Sequence, residues 1–521
     1  MEDVDRPASQ DAQGNGSSLS GESTPSSDQE EGGSTRWRRR IGLVLGIVLF
    51  AAVLVIPAPE GLSPAGWKTA GVGLLMAVWW ITEALPIAAT ALVPLVLFPL
   101  LGVREIGPSA SPYANPLIFL FMGGFMVAVA MQRWDLHRRI ALSIVQRVGT
   151  RPQRVVIGFI IASAFLSMWV SNTATALMML PTGLSVIYLT RERLNLDPGA
   201  TFNFGIVLVL AIAYACNIGG VGTLIGTPPN AILAGFVSES YGPEIGFAQW
   251  MTIGIPVVLV LLPLMYMVLT RVFPLHIDRL PGGAEIIDEE MRKLGPMSDA
   301  EKRVAMVFGS AATLWIFRPL LSQVIPGISD AGIAMAAALV LFIVPAGGGE
   351  KRRLLNWEEA EELPWGVLLI FGGGLSLASA IEGTGLAAWI GEGVGQLAGW
   401  PALGIVLTAV AMIVFLTEIT SNTATTATFL PILGAIAIGI GENPFFLVVP
   451  AAMAASCAFM LPVATPPNAI VYSSNMFTIP QMSKAGAWLN ILSIVLVTAL
   501  AYTLLGLVFG VEIGVVPDWA G

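Results

Sequence analysis

The sequence predicts an all-α polytopic membrane protein, with about eleven transmembrane helices plus two re-entrant helical hairpins in an inverted-topology repeat. Three observations predict it. Of 521 residues, 55% are hydrophobic and only 12% charged, with a mean hydropathy of +0.76; a soluble chain carries about 25% charged residues. Two apolar segments are each too long for one crossing and are interrupted by polar residues. The same polar strings then occur twice along the chain. This composition excludes a soluble enzyme, a nucleic-acid binder and a disordered scaffold as readings of the main body.

The elements follow in order. Residues 1–35 carry eight acids against one base, which accounts for most of the net charge of −9. Rich in Ser and Gly, this stretch has too little apolar surface to fold and reads as a disordered acidic cytoplasmic tail. Arg36, Arg38, Arg39 and Arg40 precede the first apolar run and hold that end in the cytoplasm. The first repeat spans 36–273, with scaffold helices over 41–150, a hairpin over 154–192 and a broken helix over 203–235. A cytoplasmic linker covers 274–303. The second repeat spans 304–511, with scaffold helices over 304–396, a hairpin over 402–441 and a broken helix over 444–473. The C-terminus, 512–521, has two acids and no base and is expected outside. With this topology 23 of 26 basic residues fall on the cytoplasmic side; Lys68, Arg104 and Arg318 do not. The location that follows is the cell membrane.

Segments 154–192 and 402–441 hold 39 and 40 residues. As single helices they would run about 60 Å, against a hydrocarbon core of about 30 Å. Each carries a polar string near its middle and then a proline, Pro181 or Pro431, which together predict a break and a re-entrant hairpin. Arginines flank the base of the first hairpin, and none flank the second. The two therefore enter from opposite sides.

The repeat is visible in letters. Phe165–Thr175 (FLSMWVSNTAT) aligns with Phe415–Thr425 (FLTEITSNTAT) at an offset of 250. Thr227–Ile232 (TPPNAI) recurs as Thr465–Ile470 at an offset of 238. Hydroxyl, amide and carbonyl oxygens are hard ligands that suit a small cation such as Na⁺. The helix that starts after each tip points its N-terminal N–H groups at the same spot and attracts an anion. Pro228, Pro229, Pro466 and Pro467 cannot donate backbone hydrogen bonds, so they break a helix and free carbonyls that can complete a cation shell. Asn230 and Asn468 can fasten the unwound backbone. No Lys or Arg lies in either motif, so bound cations would compensate the anion's charge.

These residues resemble the divalent anion/sodium symporter family, which contains sodium-coupled dicarboxylate and citrate transporters, over about residues 41–511. The resemblance implies a homodimer in membrane lipid, with a scaffold domain and a mobile transport domain that moves as an elevator. It implies one sodium site at Ser167, Ser171, Asn172 and backbone near Gly226, and a second at Thr417, Ser421, Asn422 and backbone near Ala464. It implies that substrate carboxylates meet Asn172, Thr173, Asn422 and Thr423, with Thr465 and Pro466 nearby. Intact Ser-Asn-Thr in both hairpins resembles the members that carry C4-dicarboxylates (succinate, malate, fumarate). Sodium-independent exchange, and sodium-coupled citrate or sulfate transport, are the alternatives.

Glu418 stands where the first copy has Met168, and reads as a tuner of cation affinity, a proton carrier or a group facing outer water. Cys216 and Cys457 read as small hydrophobes. His137 and His276 lie far apart in charged stretches, and no acidic pair lies at membrane depth, so no catalytic centre and no histidine-based metal site is expected.

Overall fold

Helix boundaries fall where the sequence puts caps and prolines. This computed structural model describes residues 33–149, 151–196, 202–275, 277, 283–393 and 399–520; most of the acidic tail, and His276, lie outside them. α1 (Gly33–Val55) packs along α2 (Pro64–Thr82), which starts at a Ser63 cap and stops at Glu83 in the left-handed region. Arg38 pairs with Glu83 at 3.0 Å. Pro86 and Pro94 set the starts of two short helices, α3 (Ile87–Thr90) and α4 (Val93–Leu100). After α5 (Ile106–Ala110), α6 (Pro116–Arg133) opens on an Asn115 cap, and the amphipathic α7 (Leu136–Val148) follows.

Next come α8 (Pro152–Ser167), α9 (Asn172–Arg193), α10 (Asn203–Gly220), α11 (Pro228–Tyr241) and α12 (Phe247–Val272). The chain continues through α13 (Gly283–Leu294), α14 (Asp299–Leu321) and α15 (Asp330–Ile343). A short hairpin, β1 (Pro345–Gly347) and β2 (Glu350–Arg353), turns through Gly347, Gly348 and Gly349, all at positive φ where a Cβ is disfavoured. α16 (Trp357–Ala360), α17 (Trp365–Gly383) and α18 (Leu386–Gly393) lead to α19 (Ala402–Thr417) and α20 (Asn422–Gly439). α21 (Phe445–Ala455), α22 (Pro466–Tyr472) and α23 (Ile479–Phe509) complete the chain.

Among the described residues, eight helices are long and apolar enough to cross a membrane. α8 and α19 have 16 residues each, about 24 Å, and fall short of a hydrocarbon core. Leu259 on α12, Phe317 on α14 and Val495 on α23 face outward, as a bilayer solvent allows.

The charged surface has its own order. Arg139 pairs with Glu301, and Arg138 with Glu290, which fastens α7 to α13 and α14. Burial pushes the Glu359 carboxyl up, but hydrogen bonds from Arg352, the Asn356 amide and Arg133 outweigh it and hold the group below the ordinary carboxylate value.

One expectation is corrected. Both long segments do break, at Met168–Ser171 and Glu418–Ser421, but Pro181 and Pro431 lie inside α9 and α20. The polar string ends the helix, because Ser171 and Ser421 stand at N-cap positions in extended backbone. The prolines cost one helical hydrogen bond each, which packed neighbours tolerate.

Candidate functional site

Two breaks in each half of the chain put non-helical backbone among buried helices. The first tip presents Ser171 and Asn172. Ser171 Oγ accepts from the Ala174 amide at 3.2 Å and caps α9. Ser167 Oγ donates toward Cys216 O (2.8 Å) and contacts Asn172 Oδ1. The second tip repeats the hydroxyl contacts, although Ser421 makes no side-chain cap hydrogen bond on α20. Thr417 Oγ1 lies 2.9 Å from Ala455 O and 2.6 Å from Asn422 Oδ1. In each cluster one hydroxyl proton faces two acceptor oxygens, so lone pairs outnumber protons. A small hard cation fits such a donor set.

Gly220 closes the first cluster. A Cβ there would lie 2.8 Å from Asn172 Oδ1 and 3.0 Å from Gly226 O, so both oxygens crowd the space that glycine leaves. In the second half, Ala464 ends a single 3₁₀ turn, and Thr465 follows in extended backbone at the α22 N-cap.

The unwound segments are held alike by their asparagines. Asn230 Nδ2 donates to Gly220 O (3.1 Å), Val221 O (3.4 Å) and Thr223 O (2.7 Å). Asn468 Nδ2 donates to the equivalent Ala458 O and Leu461 O, at 3.1 Å each. Both side chains are fully buried.

The anion side has a different character. Asn172, Thr173, Asn422 and Thr423 are half-buried, and Pro466 is exposed. Among the described residues the Thr173 and Thr423 hydroxyls have no hydrogen-bond partner. The first N–H groups of α9 and α20 have no intrahelical acceptor either. α9 packs on α22 and α20 on α11, so each tip helix meets the broken helix of the other half.

Several contributors were missed in the sequence. Asn217 on α10 reaches across to the second half, where its Nδ2 donates to Thr465 Oγ1 (3.0 Å) and Asn468 Oδ1 (3.2 Å). Tyr214 OH donates to Phe459 O at 2.7 Å, and Trp250 Nε1 to Val221 O at 2.9 Å. Asn217, the lone amide in the otherwise apolar 204–222 stretch, was the available signal. Glu418 does not face outer water: it is buried, and its carboxylate accepts hydrogen bonds from backbone and from Asn490. Cys216 and Cys457 are buried free thiols.

The family model for the sodium:sulfate symporter transmembrane region matches residues 37–510. The chain belongs to this family. It is 45% identical over 494 residues to the sodium-dependent dicarboxylate transporter SdcS of Staphylococcus saprophyticus, covering 94% of this chain and 95% of that protein. It is 45% identical over 480 residues to the protein of the same name from Staphylococcus aureus, covering 91% and 92%. Two solved structures share the fold at 13% identity. Neisseria gonorrhoeae MtrF has a TM-score of 0.57, covering 89% of this chain and 96% of that one. The Alcanivorax borkumensis YdaH transporter has a TM-score of 0.51, covering 92% and 98%. The resemblance read from the doubled motifs is therefore borne out, and this family member is a multi-pass membrane protein.

Proposed function

We propose that this chain carries C4-dicarboxylates such as succinate, malate and fumarate into the cell by sodium-coupled symport. The observation that carries the substrate class is the 45% identity, over more than nine-tenths of the chain, to proteins named sodium-dependent dicarboxylate transporters. The family description names sulfate, which makes sulfate the first competitor to test, with citrate beside it.

The doubled oxygen clusters support two sodium sites. The first takes Ser167, Ser171, Asn172 and the Gly226 backbone; the second takes Thr417, Ser421, Asn422 and the Ala464 backbone. The substrate lies between the tips, on the amides and hydroxyls of Asn172, Thr173, Asn422 and Thr423, with Thr465 and Pro466 alongside. A dicarboxylate brings two negative charges to a site whose motifs hold no Lys or Arg. Helix N-termini supply partial positive charge, and two bound sodium ions supply the rest. Coupling follows, because the anion binds well only after the cations.

Alternating access is an elevator movement of the two hairpin segments, the broken helices and the helices that follow them, against a scaffold of α1–α7 and α14–α18. A cavity of about 400 Å³ between α11 and α20 on one side and α17 and α18 on the other supports this division. The repeats are inverted, with about eleven crossings, re-entrant tips, a cytoplasmic N-terminus and an external C-terminus. The scaffold forms a homodimer.

Thermal unfolding of the purified protein tests the ligand set. Ligand at a hundred times its Kd adds about 2.7 kcal/mol of stability. Succinate should raise the Tm in sodium and not in potassium. A rise with sulfate or citrate alone would reassign the substrate, and a sodium-independent rise with succinate would indicate the exchanger.

A further inference from the structure

We infer that Glu418 is the positioning residue of the second cation site, tying the second tip, the second unwound segment and α23 into one unit. This rests on the proposed sodium-coupled function. Glu418 is the first residue after α19 and is 3% exposed. Its Oε1 accepts hydrogen bonds from the Phe459 amide (2.7 Å), the Met460 amide (2.9 Å) and Asn490 Nδ2 (2.8 Å). Its Oε2 accepts from the Leu461 amide at 3.0 Å. The three amides are consecutive and belong to no helix, so they have no helical acceptors of their own. Four N–H groups donate to this one carboxylate, three to Oε1 and one to Oε2, and three of the four come from the unwound backbone. The geometry therefore assigns the group to holding backbone.

Its position in the chain gives that holding a purpose. Thr417 and Asn422, which hold the second oxygen cluster, lie immediately before and four residues after Glu418. Ala464 and Thr465 follow the three clasped amides after Pro462 and Val463. One carboxylate thus fixes the two halves of the proposed cation shell relative to each other. The first copy makes the corresponding link in the same direction with neutral groups: Met168 replaces the acid, and Thr223 Oγ1 donates to Met168 O at 2.5 Å. Three backbone amides of the second segment bond Glu418, against one hydroxyl bond to Met168 O in the first copy, so the second site is the more firmly held.

The test uses the full chain with Glu418→Ala, Glu418→Gln and Asn490→Ala. Hydrogen exchange of the 456–465 backbone reads the tether, and the sodium dependence of succinate uptake in proteoliposomes reads its consequence. Glu418→Ala should speed exchange across 459–461. It should also raise the sodium concentration for half-maximal uptake about ten- to a hundredfold, the usual cost of removing a group that orients ion ligands. High sodium should restore uptake with an unchanged succinate KM, an outcome that general loosening of the fold does not give. Glu418→Gln keeps one acceptor oxygen and should fall between. Unchanged exchange overturns the tether, and faster exchange with unchanged sodium dependence overturns the positioning role. Loss of the pH dependence of uptake in Glu418→Gln, with sodium dependence intact, overturns it in favour of a proton carrier. If Glu418→Ala yields no folded protein, Glu418→Gln and Asn490→Ala decide by the same two readouts. A wild-type protein with no sodium-dependent uptake refutes the functional reading instead, and the exchange measurement still decides the tether.

Discussion

Asn230→Ala perturbs the first unwound segment at its centre. The side chain is fully buried and its Nδ2 serves three carbonyls, those of Gly220, Val221 and Thr223. Val221 O keeps its bond from Trp250 Nε1 at 2.9 Å. Thr223 O keeps only a long one from Gly226 N, at 3.4 Å. Two buried carbonyls therefore lose their short donor, at about 1–3 kcal/mol each, so about 2 kcal/mol is the floor. If the segment relaxes, that cost falls on the conformation that presents Gly226 to sodium, and 2 kcal/mol weakens sodium about thirtyfold. If neighbours hold the segment in place, the cost appears as lower stability. Sodium titration of uptake and thermal unfolding without sodium measure the two parts. Asn230→Asp should be worse, since it turns a carboxylate toward three carbonyls. A variant with unchanged sodium dependence and unchanged Tm would refute the argument that this amide holds the segment.

The remaining predictions concern the tips, the packing and the charged surface. Asn172→Ala and Asn422→Ala should each abolish uptake while leaving a folded protein by size-exclusion chromatography; sodium-driven uptake by either removes that residue from the site. Gly219→Ala forces a Cβ into the Ala164 backbone of α8 and should cost about 1–3 kcal/mol or more, read as lost folded yield; normal yield would show that α8 and α10 can separate. Glu359 contributes stability above the ordinary carboxyl range, which is lost as pH falls through its lowered value. Glu359→Gln should flatten the acid side of the Tm–pH profile, and an unchanged acid limb would show that the Arg133 and Arg352 pairs do not stabilise the fold.

Much of this was legible because the information is local. Ser-Asn-Thr and Thr-Pro-Pro-Asn mark helix starts by their own chemistry, and a proline pair fixes where α11 and α22 begin. Pro181 and Pro431 misled, because whether a helix survives an internal proline depends on its neighbours. The β1–β2 turn was passed over, though three consecutive glycines at 347–349 announce it. Glu418 could not be placed from sequence, since its partners lie about 41–43 and 72 residues downstream. Asn217 is the same case across the two halves: nothing near it in the chain indicates Thr465 and Asn468.

The central claim is coupled transport, and labelled succinate uptake into proteoliposomes tests it most directly. An inward sodium gradient should drive succinate above its equilibrium level, and an equal potassium gradient should not. Failure to accumulate in sodium, with exchange in succinate-loaded vesicles, would contradict symport.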